Sequence, residues 1–189
     1  MGALPAAATG VPVTRTGINM NSAQIVCLTI ASLACVTDLR ARRIPNPLTF
    51  GAALAGLLYQ FVTGGIDGLG QAAAGWLVGA VIFILPFALG GLGGGDVKLL
   101  AALGAWLGPV DVLWLSLYTG VAGGAMALAV SVKYGYLGTA IQNVKLLLCH
   151  WSVAGIEAVP AITLENSAAP KLAYALPIFA GMVATIWLR

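Results

Sequence analysis

Apolar residues fill most of the chain in long runs, and polar residues interrupt these runs at only a few places. A helix needs about 20 apolar residues to cross the roughly 30 Å apolar core of a bilayer, and shorter runs are tolerated inside a bundle. The pattern predicts six membrane-spanning helices, near residues 22–37, 47–62, 69–89, 96–107, 110–132 and 172–188. A glycine-rich break at 90–95 precedes the fourth span, and Gly108-Pro109 separates it from the fifth.

Composition restricts the chain to the membrane. Of its 189 residues, 60% are hydrophobic and only 8% are charged, whereas a soluble domain carries about 25% charged residues. A water-soluble domain, a disordered chain, a disulfide-rich secreted module and a nucleic-acid-binding protein are excluded, because each needs a polar, cysteine-dense or strongly basic composition. We therefore predict an all-α, polytopic membrane protein that binds no nucleic acid.

Basic residues predict the orientation of the spans, because Lys and Arg concentrate in cytoplasmic loops. With the N-terminus outside, seven of the nine basic residues fall on one side of the membrane. These seven are Arg40, Arg42, Arg43, Lys98, Lys133, Lys145 and Lys171. Only Arg15 and Arg189 fall on the other side. The expected topology is N-out and C-out, with the first, third and fifth loops in the cytoplasm.

The segments outside the spans complete the predicted organisation. Residues 1–21 are expected to form an external flexible tail, and residues 22–189 a single membrane-embedded domain. The arginine cluster follows the first span, which favours a retained helix with a stop-transfer signal over a cleaved signal peptide. The cytoplasmic loop at 133–170 mixes apolar and polar positions, which predicts an amphipathic helix on the membrane surface, with Tyr134 and Trp151 as interfacial anchors.

The six acidic residues are few enough to consider one by one as candidates for acid and base chemistry. Four of them occupy ordinary turn, cap or solvated loop positions: Asp67, Asp111, Glu157 and Glu165. Asp38 falls at the cytoplasmic end of the first span, where it either anchors the boundary by pairing with Arg40 or Arg42 or belongs to a site. Asp96 opens the fourth span, either as a helix cap or as a functional group.

The length of the fourth span favours a functional role for Asp96. Residues 96–107 form about 18 Å of helix, which is well short of the apolar thickness of a bilayer. If Gly108-Pro109 lies at the outer surface, Asp96 is drawn below the cytoplasmic surface into the bundle. An ionisable residue inside the membrane marks a functional site by default.

Asp38 and Asp96 are expected to lie at similar depth, because their loops open on the same side of the membrane. Two nearby carboxylates in a low-dielectric site cannot both ionise easily, so the pair holds a shared proton. Such a pair positions a water molecule, with one carboxylate as base and the other as acid. Gly93 and Gly95 are expected to supply backbone conformations closed to other residues and room for a substrate chain. The helix N-terminus at Asp96 favours its ionised form and so favours Asp38 as the holder of the shared proton, but the two carboxylates titrate as one unit and the assignment stays open.

Two motifs at the cytoplasmic ends of the spans carry a resemblance to a known family. They are Asp38-x-Arg40-x-x-Arg43-Ile44-Pro45-Asn46 and Gly93-x-Gly95-Asp96-x-Lys98-Leu99. Together they resemble the type IV prepilin peptidases, membrane aspartic peptidases of the GxGD kind, and the similarity covers most of the chain after its N-terminal tail. The resemblance implies that Asp38 and Asp96 are catalytic. Neighbouring motif residues are expected to bind substrate or shape the site: Gly93, Gly95, Lys98, Arg43 and Asn46. Lys98 either orients the substrate or an anionic lipid or only reaches the lipid headgroups, and Arg43 and Asn46 are expected to brace the first cytoplasmic loop.

The resemblance further implies an activity and a location. The chain is expected to be an aspartic-type endopeptidase that removes the basic leader from type IV or Flp-type prepilins or pseudopilins. Its multi-pass domain would lie in the plasma membrane of a bacterial or archaeal-type cell, with the active site facing the cytoplasm. Its expected partners are the prepilin substrate and membrane lipids, and no metal or other cofactor is expected.

Departures from the family pattern indicate a subtype. Larger members carry a cytoplasmic N-terminal region with paired CxxC motifs and also methylate the new N-terminus, whereas Cys27, Cys35 and Cys149 form no CxxC. The tail before the first span has no room for that region. The chain is therefore similar to the short, peptidase-only form of tight-adherence (Flp-type) pilus systems, with no structural zinc and no N-methyltransferase activity expected. Cys27 and Cys35 are predicted to be small apolar residues of the first span.

The last span and the only histidine show smaller departures. Short family members often begin this helix with a Pro-Tyr-Gly-like sequence, whereas this chain has Ala173-Tyr174-Ala175 and Pro177 one turn later. We expect a modest change in the start of the helix and no loss of chemistry. His150 is interpreted as an interfacial loop residue, because no further ligand type accompanies it and Cys149 at metal-binding spacing.

Three other functions remain open at this point. A small transporter would use the aspartates to bind a cation or relay protons, but the two halves of the chain show no internal symmetry. A presenilin-type protease pairs Tyr-Asp with Pro-Ala-Leu, whereas here Thr37 precedes Asp38 and the nearest triplet is Ala175-Leu176-Pro177. An inactive pilus-assembly scaffold is the third, and the intact motifs argue against it.

Overall fold

Six helices account for most of the residues that the computed structural model describes, which are 20–155 and 172–189. They are α1 (Ser22–Ala41), α2 (Asn46–Ala88), α3 (Gly94–Leu107), α4 (Pro109–Lys133), α5 (Leu137–Ala154) and α6 (Ala175–Leu188). These described residues contain no strand, which confirms the predicted all-α class. Most of the predicted tail and part of the predicted cytoplasmic loop, with Glu157 and Glu165, lie outside the described residues.

α2 differs from the prediction, because the second and third predicted spans form one element without a separate external loop. A straight helix of its 43 residues would be about 65 Å long, twice the apolar thickness of a bilayer. The backbone leaves helical geometry at Gly65, where φ is 62° and ψ is −144°, a conformation that favours glycine. The chain reverses there, since Gly68 packs on the carbonyl oxygen of Gln60. Asp67 therefore lies in the second arm of α2 (66–88), directly after the reversal.

α1 has capping groups at both ends. Asn21 Oδ1 accepts a hydrogen bond from the Gln24 amide at 2.8 Å, and Gln24 Oε1 accepts one from the Asn21 amide at 3.0 Å. This reciprocal capping box pairs two amides that the helix itself leaves free. At the other end Arg42 adopts a left-handed conformation (φ 53°) and its amide donates to the Asp38 carbonyl oxygen. The last turn of α1 therefore presents Asp38 directly before the connection to α2.

α3 is the central helix of the described bundle. From Leu99 to Trp106 every residue is buried, a pattern typical of a helix that is surrounded on all sides. Its neighbours are α1, α2 and α4. At 14 residues it is about 21 Å long, so it is too short to cross a bilayer by itself. The short helix predicted near residues 96–107 is confirmed, and its crossing of the membrane stays a prediction.

Glycine allows the backbones of α2 and α3 to touch. A Cβ atom added at Gly75 would overlap the carbonyl oxygen of Gly104, and one added at Gly104 would overlap that of Gly75. One turn further along α2, a Cβ at Gly79 would lie 2.7 Å from the Leu100 carbonyl oxygen. Close backbone approach through small residues is a common way to pack helices in membranes, where van der Waals contact drives association.

A polar cluster joins three helices at the end of α3 remote from Asp96. The Trp106 indole donates to the Ala52 carbonyl oxygen at 2.8 Å, and the Gln60 side chain donates to the Trp106 carbonyl oxygen at 2.9 Å. The Tyr59 ring packs 5.2 Å from the Trp106 ring, and its hydroxyl is 2.6 Å from that of Ser22. These contacts fix the height of α3 relative to α1 and α2.

α6 packs along one face of α4. Gly181 lies against Thr119, and Gly123, one turn later on α4, lies against the Tyr174 ring. At the opposite end of α6, the Arg189 guanidinium pairs with Asp111. Asp111 lies in the first turn of α4, whose N-cap residue is Gly108, and through Arg189 it joins α4 to α6.

The outward faces of the long helices are apolar. α1, α2 and α4 are long and apolar enough to cross a membrane, and α6 is a shorter apolar helix. Large side chains on these faces are more than half exposed, among them Leu33, Leu54, Leu77 and Leu117. Such a surface suits lipid and not water, so the chain is an integral membrane protein. The number of crossings and the N-out orientation stay predictions.

α5 confirms that the predicted amphipathic segment is helical. Leu137, Ile141 and Val144 line a groove against Leu128 of α4, at spacings that share one helix face. Its position on the membrane surface stays a prediction. The cysteines of α1 follow the sequence interpretation, since Cys27 and Cys35 are both buried in the apolar core.

Replacing Gly75 by alanine is expected to destabilise the bundle, because the new methyl group meets backbone that cannot move aside. Overpacking of this kind costs about 1–3 kcal/mol or more. Gly70→Ala is the matched control, since nothing lies within 4 Å of a Cβ at that position in the same arm of α2. Thermal unfolding in detergent, followed by circular dichroism, should show a lower Tm for Gly75→Ala only. Equal Tm values for the two variants would contradict the packing argument.

Candidate active site

A cavity of about 810 Å³ lies where the end of α1, the connection to α2 and the start of α3 meet. Asp38 reaches it from α1 and Asp96 from α3, and both side chains line its wall. Both residues are buried, with exposed fractions of 9% and 8%. Burial of a carboxylate is costly unless it is paired or hydrogen-bonded, so two such residues in one cavity point to a site.

Asp96 lies in the first turn of α3, two residues after its first residue, Gly94. Its Oδ2 accepts a hydrogen bond from the Gly93 amide at 3.1 Å. This is one half of a capping box; Gly93, having no side chain, cannot supply the other half. The contact satisfies an amide that the helix leaves free and favours a negative charge at Asp96 through the helix dipole.

Asp38 makes the corresponding contact with a different helix. Its Oδ2 accepts a hydrogen bond from the amide of Ala175, the first residue of α6, at 3.3 Å. Both carboxylates therefore lie at the amino-terminal end of a helix, where a negative charge is stabilised. The dipole argument that favoured Asp38 as the holder of the shared proton consequently applies to both residues and no longer separates them.

The glycines of the second motif provide close approach, as predicted, but not an unusual backbone conformation. Gly93 has φ of −84°, and among the described glycines the positive φ values fall elsewhere, at Gly90 in the same turn for example. A Cβ at Gly93 would lie 3.1 Å from Asp96 Oδ2, and one at Gly95 would lie 3.3 Å from Ile44. The expectation of special conformations at Gly93 and Gly95 is therefore wrong, because side-chain crowding is what favours glycine there.

Lys98 faces away from the carboxylates. Its Nζ donates to Asn46 Oδ1 at 3.0 Å and lies 5.5 Å from the centre of the Phe50 ring. Asn46 lines the cavity, whereas Lys98 is not among the cavity-lining residues. Within this structure Lys98 links the second turn of α3 to the first residue of α2, so its expected role as a substrate ligand gains no support from its position.

Basic side chains share the cavity with the two carboxylates. Arg43, a predicted site residue, lines it together with Arg40 and Arg42, and all three are exposed. The wall thus carries buried acids and exposed bases. His150 lies in α5, not in a loop as predicted, and away from the cavity lining. In the described ranges no three His, Cys, Asp or Glu side chains come together.

Sequence reasoning missed the contribution of α6. The Ala175 amide, at the start of that helix, donates to Asp38. The sequence did contain a signal, since the start of this helix departs from the family pattern. A single sequence gives no reason to place α6 beside the aspartates, because Asp38 and Ala175 are 137 positions apart in the chain.

Comparisons with known proteins support one family. The sequence profile described as "Type IV leader peptidase family" matches residues 25–128, more than half of the chain, including both aspartates. A "Prepilin leader peptidase/N-methyltransferase" of Aeromonas hydrophila is 40% identical over 91 residues, which are 42% of this chain and 31% of that protein.

A protein of the same name from Aeromonas salmonicida (strain A449) is 38% identical over 97 residues, which are 46% of this chain and 33% of that protein. The matched part is therefore about a third of the length of these curated relatives. No solved structure gives a significant match.

The link between Lys98 and Asn46 is testable by a double-mutant cycle. Lys98→Met and Asn46→Ala should each lower the Tm slightly, and the double variant should lose less than the sum of both. A partly exposed hydrogen bond of this kind predicts a coupling of about 0.5–1 kcal/mol. Thermal unfolding of the four proteins in one detergent provides the measurement. Strict additivity would show that the two side chains do not interact.

Proposed function

Because the chain belongs to the type IV leader peptidase family, we propose that it hydrolyses the peptide bond that follows the basic leader of a prepilin or pseudopilin. Asp38 and Asp96 are the proposed catalytic pair. The observation that carries the proposal is the burial of these two carboxylates in one cavity, reached from two different helices. Each is the member of its motif that has acid and base chemistry.

In the proposed mechanism the pair shares one proton and holds a water molecule between its carboxyl groups. The ionised carboxylate takes a proton from the water, whose oxygen attacks the carbonyl carbon of the scissile bond. The protonated partner gives its proton to the carbonyl oxygen. The tetrahedral intermediate then collapses, its hydroxyl proton returns to a carboxylate, and the leaving nitrogen takes the other proton as the C–N bond breaks.

The surroundings of the pair support this chemistry. The Gly93 and Ala175 amides hold the two carboxylates in place before the substrate arrives, and preorganised contacts of this kind lower the cost of reaching the transition state. The cavity volume of about 810 Å³ falls within the range of about 300–1,000 Å³ that is usual for ligand sites. A short extended segment of a peptide fits such a space.

The position of the cavity suits a substrate that is itself embedded in the membrane. The cavity opens beside the arginine cluster that follows α1, on the side proposed as cytoplasmic. A prepilin leader would stay in the cytoplasm while its hydrophobic helix lies among lipids, so the scissile bond would lie at this depth. We propose that the enzyme acts on Flp-type prepilins as a peptidase, without N-methylation.

Removal of either proposed catalytic carboxyl group should abolish cleavage. Asp38→Asn and Asp96→Asn keep the size of the side chain but lose the proton-transferring group, which contributes about 10²–10⁴-fold in rate. Co-expression with a candidate prepilin, followed by electrophoresis of the product, measures leader removal. Asp67→Asn is the matched control, because Asp67 is exposed in α2 and outside the cavity lining. Normal cleavage by either amide variant at the cavity would overturn the dyad.

Cleavage should be insensitive to chelators, since the proposed steps use only carboxylates and water. Purified enzyme in detergent, incubated with excess EDTA and then desalted, should keep its full initial rate on a prepilin substrate. The control is the same treatment of a zinc-dependent peptidase, which must lose activity. Loss of prepilin cleavage that added Zn²⁺ or Mg²⁺ restores would instead indicate a metal-dependent reaction.

A further inference from the structure

The amino-terminal end of α6 meets one of the proposed catalytic residues. The Ala175 amide donates to Asp38 Oδ2 at 3.3 Å, and Tyr174 directly precedes it as the N-cap residue of α6. Both residues lie beyond residues 25–128, where the family profile matches. The position of this helix end therefore decides whether Asp38 keeps its amide donor.

The Tyr174 ring is held from two sides. The Phe83 ring, on the second arm of α2, meets it edge-on with centroids 5.9 Å apart. On the other side Gly123 of α4 leaves room for it, since a Cβ there would lie 2.8 Å from the phenol oxygen and 3.1 Å from two ring carbons. The ring thus occupies a slot between α2 and α4 whose width depends on the absence of a side chain at position 123.

The same face of α4 determines how far α6 can slide. Gly181 of α6 packs against Thr119, one helical turn before Gly123. With Gly181 on Thr119 and Tyr174 on Gly123, two contacts on one helix face fix the register of α6. A shift of the Tyr174 ring would move the Ala175 amide, because the two residues are adjacent in the backbone.

We infer that Tyr174 is a positioning residue for the carboxylate pair: its ring, seated between Phe83 and Gly123, holds the start of α6 so that the Ala175 amide reaches Asp38. The inference rests on the proposed function and adds a residue to it. Tyr174 acts through Asp38 and takes no part in bond breaking. Its disturbance should therefore lower kcat and leave KM for the prepilin nearly unchanged.

The first test adds a methyl group to the slot. Gly123→Ala pushes on the Tyr174 ring, and Gly124→Ala is the matched control, because nothing lies within 4 Å of a Cβ at the next residue of the same helix. We expect Gly123→Ala to lower kcat at least tenfold, the order of effect of a lost polar contact to a carboxylate, with KM within about twofold. Gly124→Ala should retain the wild-type kcat.

The second test removes the phenol oxygen, the atom nearest the added methyl group. Tyr174→Phe keeps the ring in its slot, so it should fold normally and keep kcat within about twofold of the wild-type value. In the double variant Gly123→Ala, Tyr174→Phe the closest clash is gone, so kcat should rise above that of Gly123→Ala and approach that of Tyr174→Phe. A purely destabilising role for Gly123→Ala would not produce this rescue.

Three results would overturn the inference: equal kcat for Gly123→Ala and Gly124→Ala, a kcat for Tyr174→Phe as low as that of Gly123→Ala, or no rescue in the double variant. Asp38→Asn, assayed in parallel, separates this failure from that of the proposed function. If Asp38→Asn is inactive while Gly123→Ala cleaves normally, the positioning role is wrong and the dyad stands. If Asp38→Asn cleaves normally, the proposed function itself fails.

Discussion

Gly75 and Gly104 bring the backbones of α2 and α3 into contact, and the depth of Asp96 depends on that contact. α3 is too short to cross a bilayer alone, so it needs neighbours that cover it on every side. Direct backbone contact provides this cover without large side chains between the helices. The Trp106 hydrogen bond to the Ala52 carbonyl oxygen fixes the far end of α3. The near end of α3 consequently holds Asp96, buried, in the wall of the cavity.

The buried charge at the site depends on helix packing as well. A buried carboxylate is tolerated when donors replace the water it has lost. Asp96 takes its donor from Gly93, directly before its own helix, whereas Asp38 takes one from α6, at the other end of the chain. The local contact follows from the turn before α3. The remote one requires α6 to pack correctly on α4, so the assembly of the site is coupled to the packing of the last helix.

Several local predictions were confirmed because they depend on short-range physics. The apolar runs of α1 and α4, the break between α3 and α4 at Gly108-Pro109, and the helical character of α5 all follow from hydropathy, glycine and proline. Contacts between distant segments were not predictable in the same way. The fold places Asn46 and Phe50 within reach of Lys98, and its role towards a substrate stays a prediction. Gly93 was expected to supply a backbone conformation closed to other residues, but its backbone is extended and Asp96 crowds it.

The sequence by itself determined that this protein lies in a membrane and which segments form helices. It also singled out Asp38 and Asp96 among the six acidic residues. Those properties depend on composition and spacing, which are local and additive. Only the tertiary structure decided that the chain reverses at Gly65, that Asp38 and Asp96 line one cavity, and that the Ala175 amide donates to Asp38. These depend on which helices touch and at what height, and such contacts arise from shape complementarity between residues far apart in the chain.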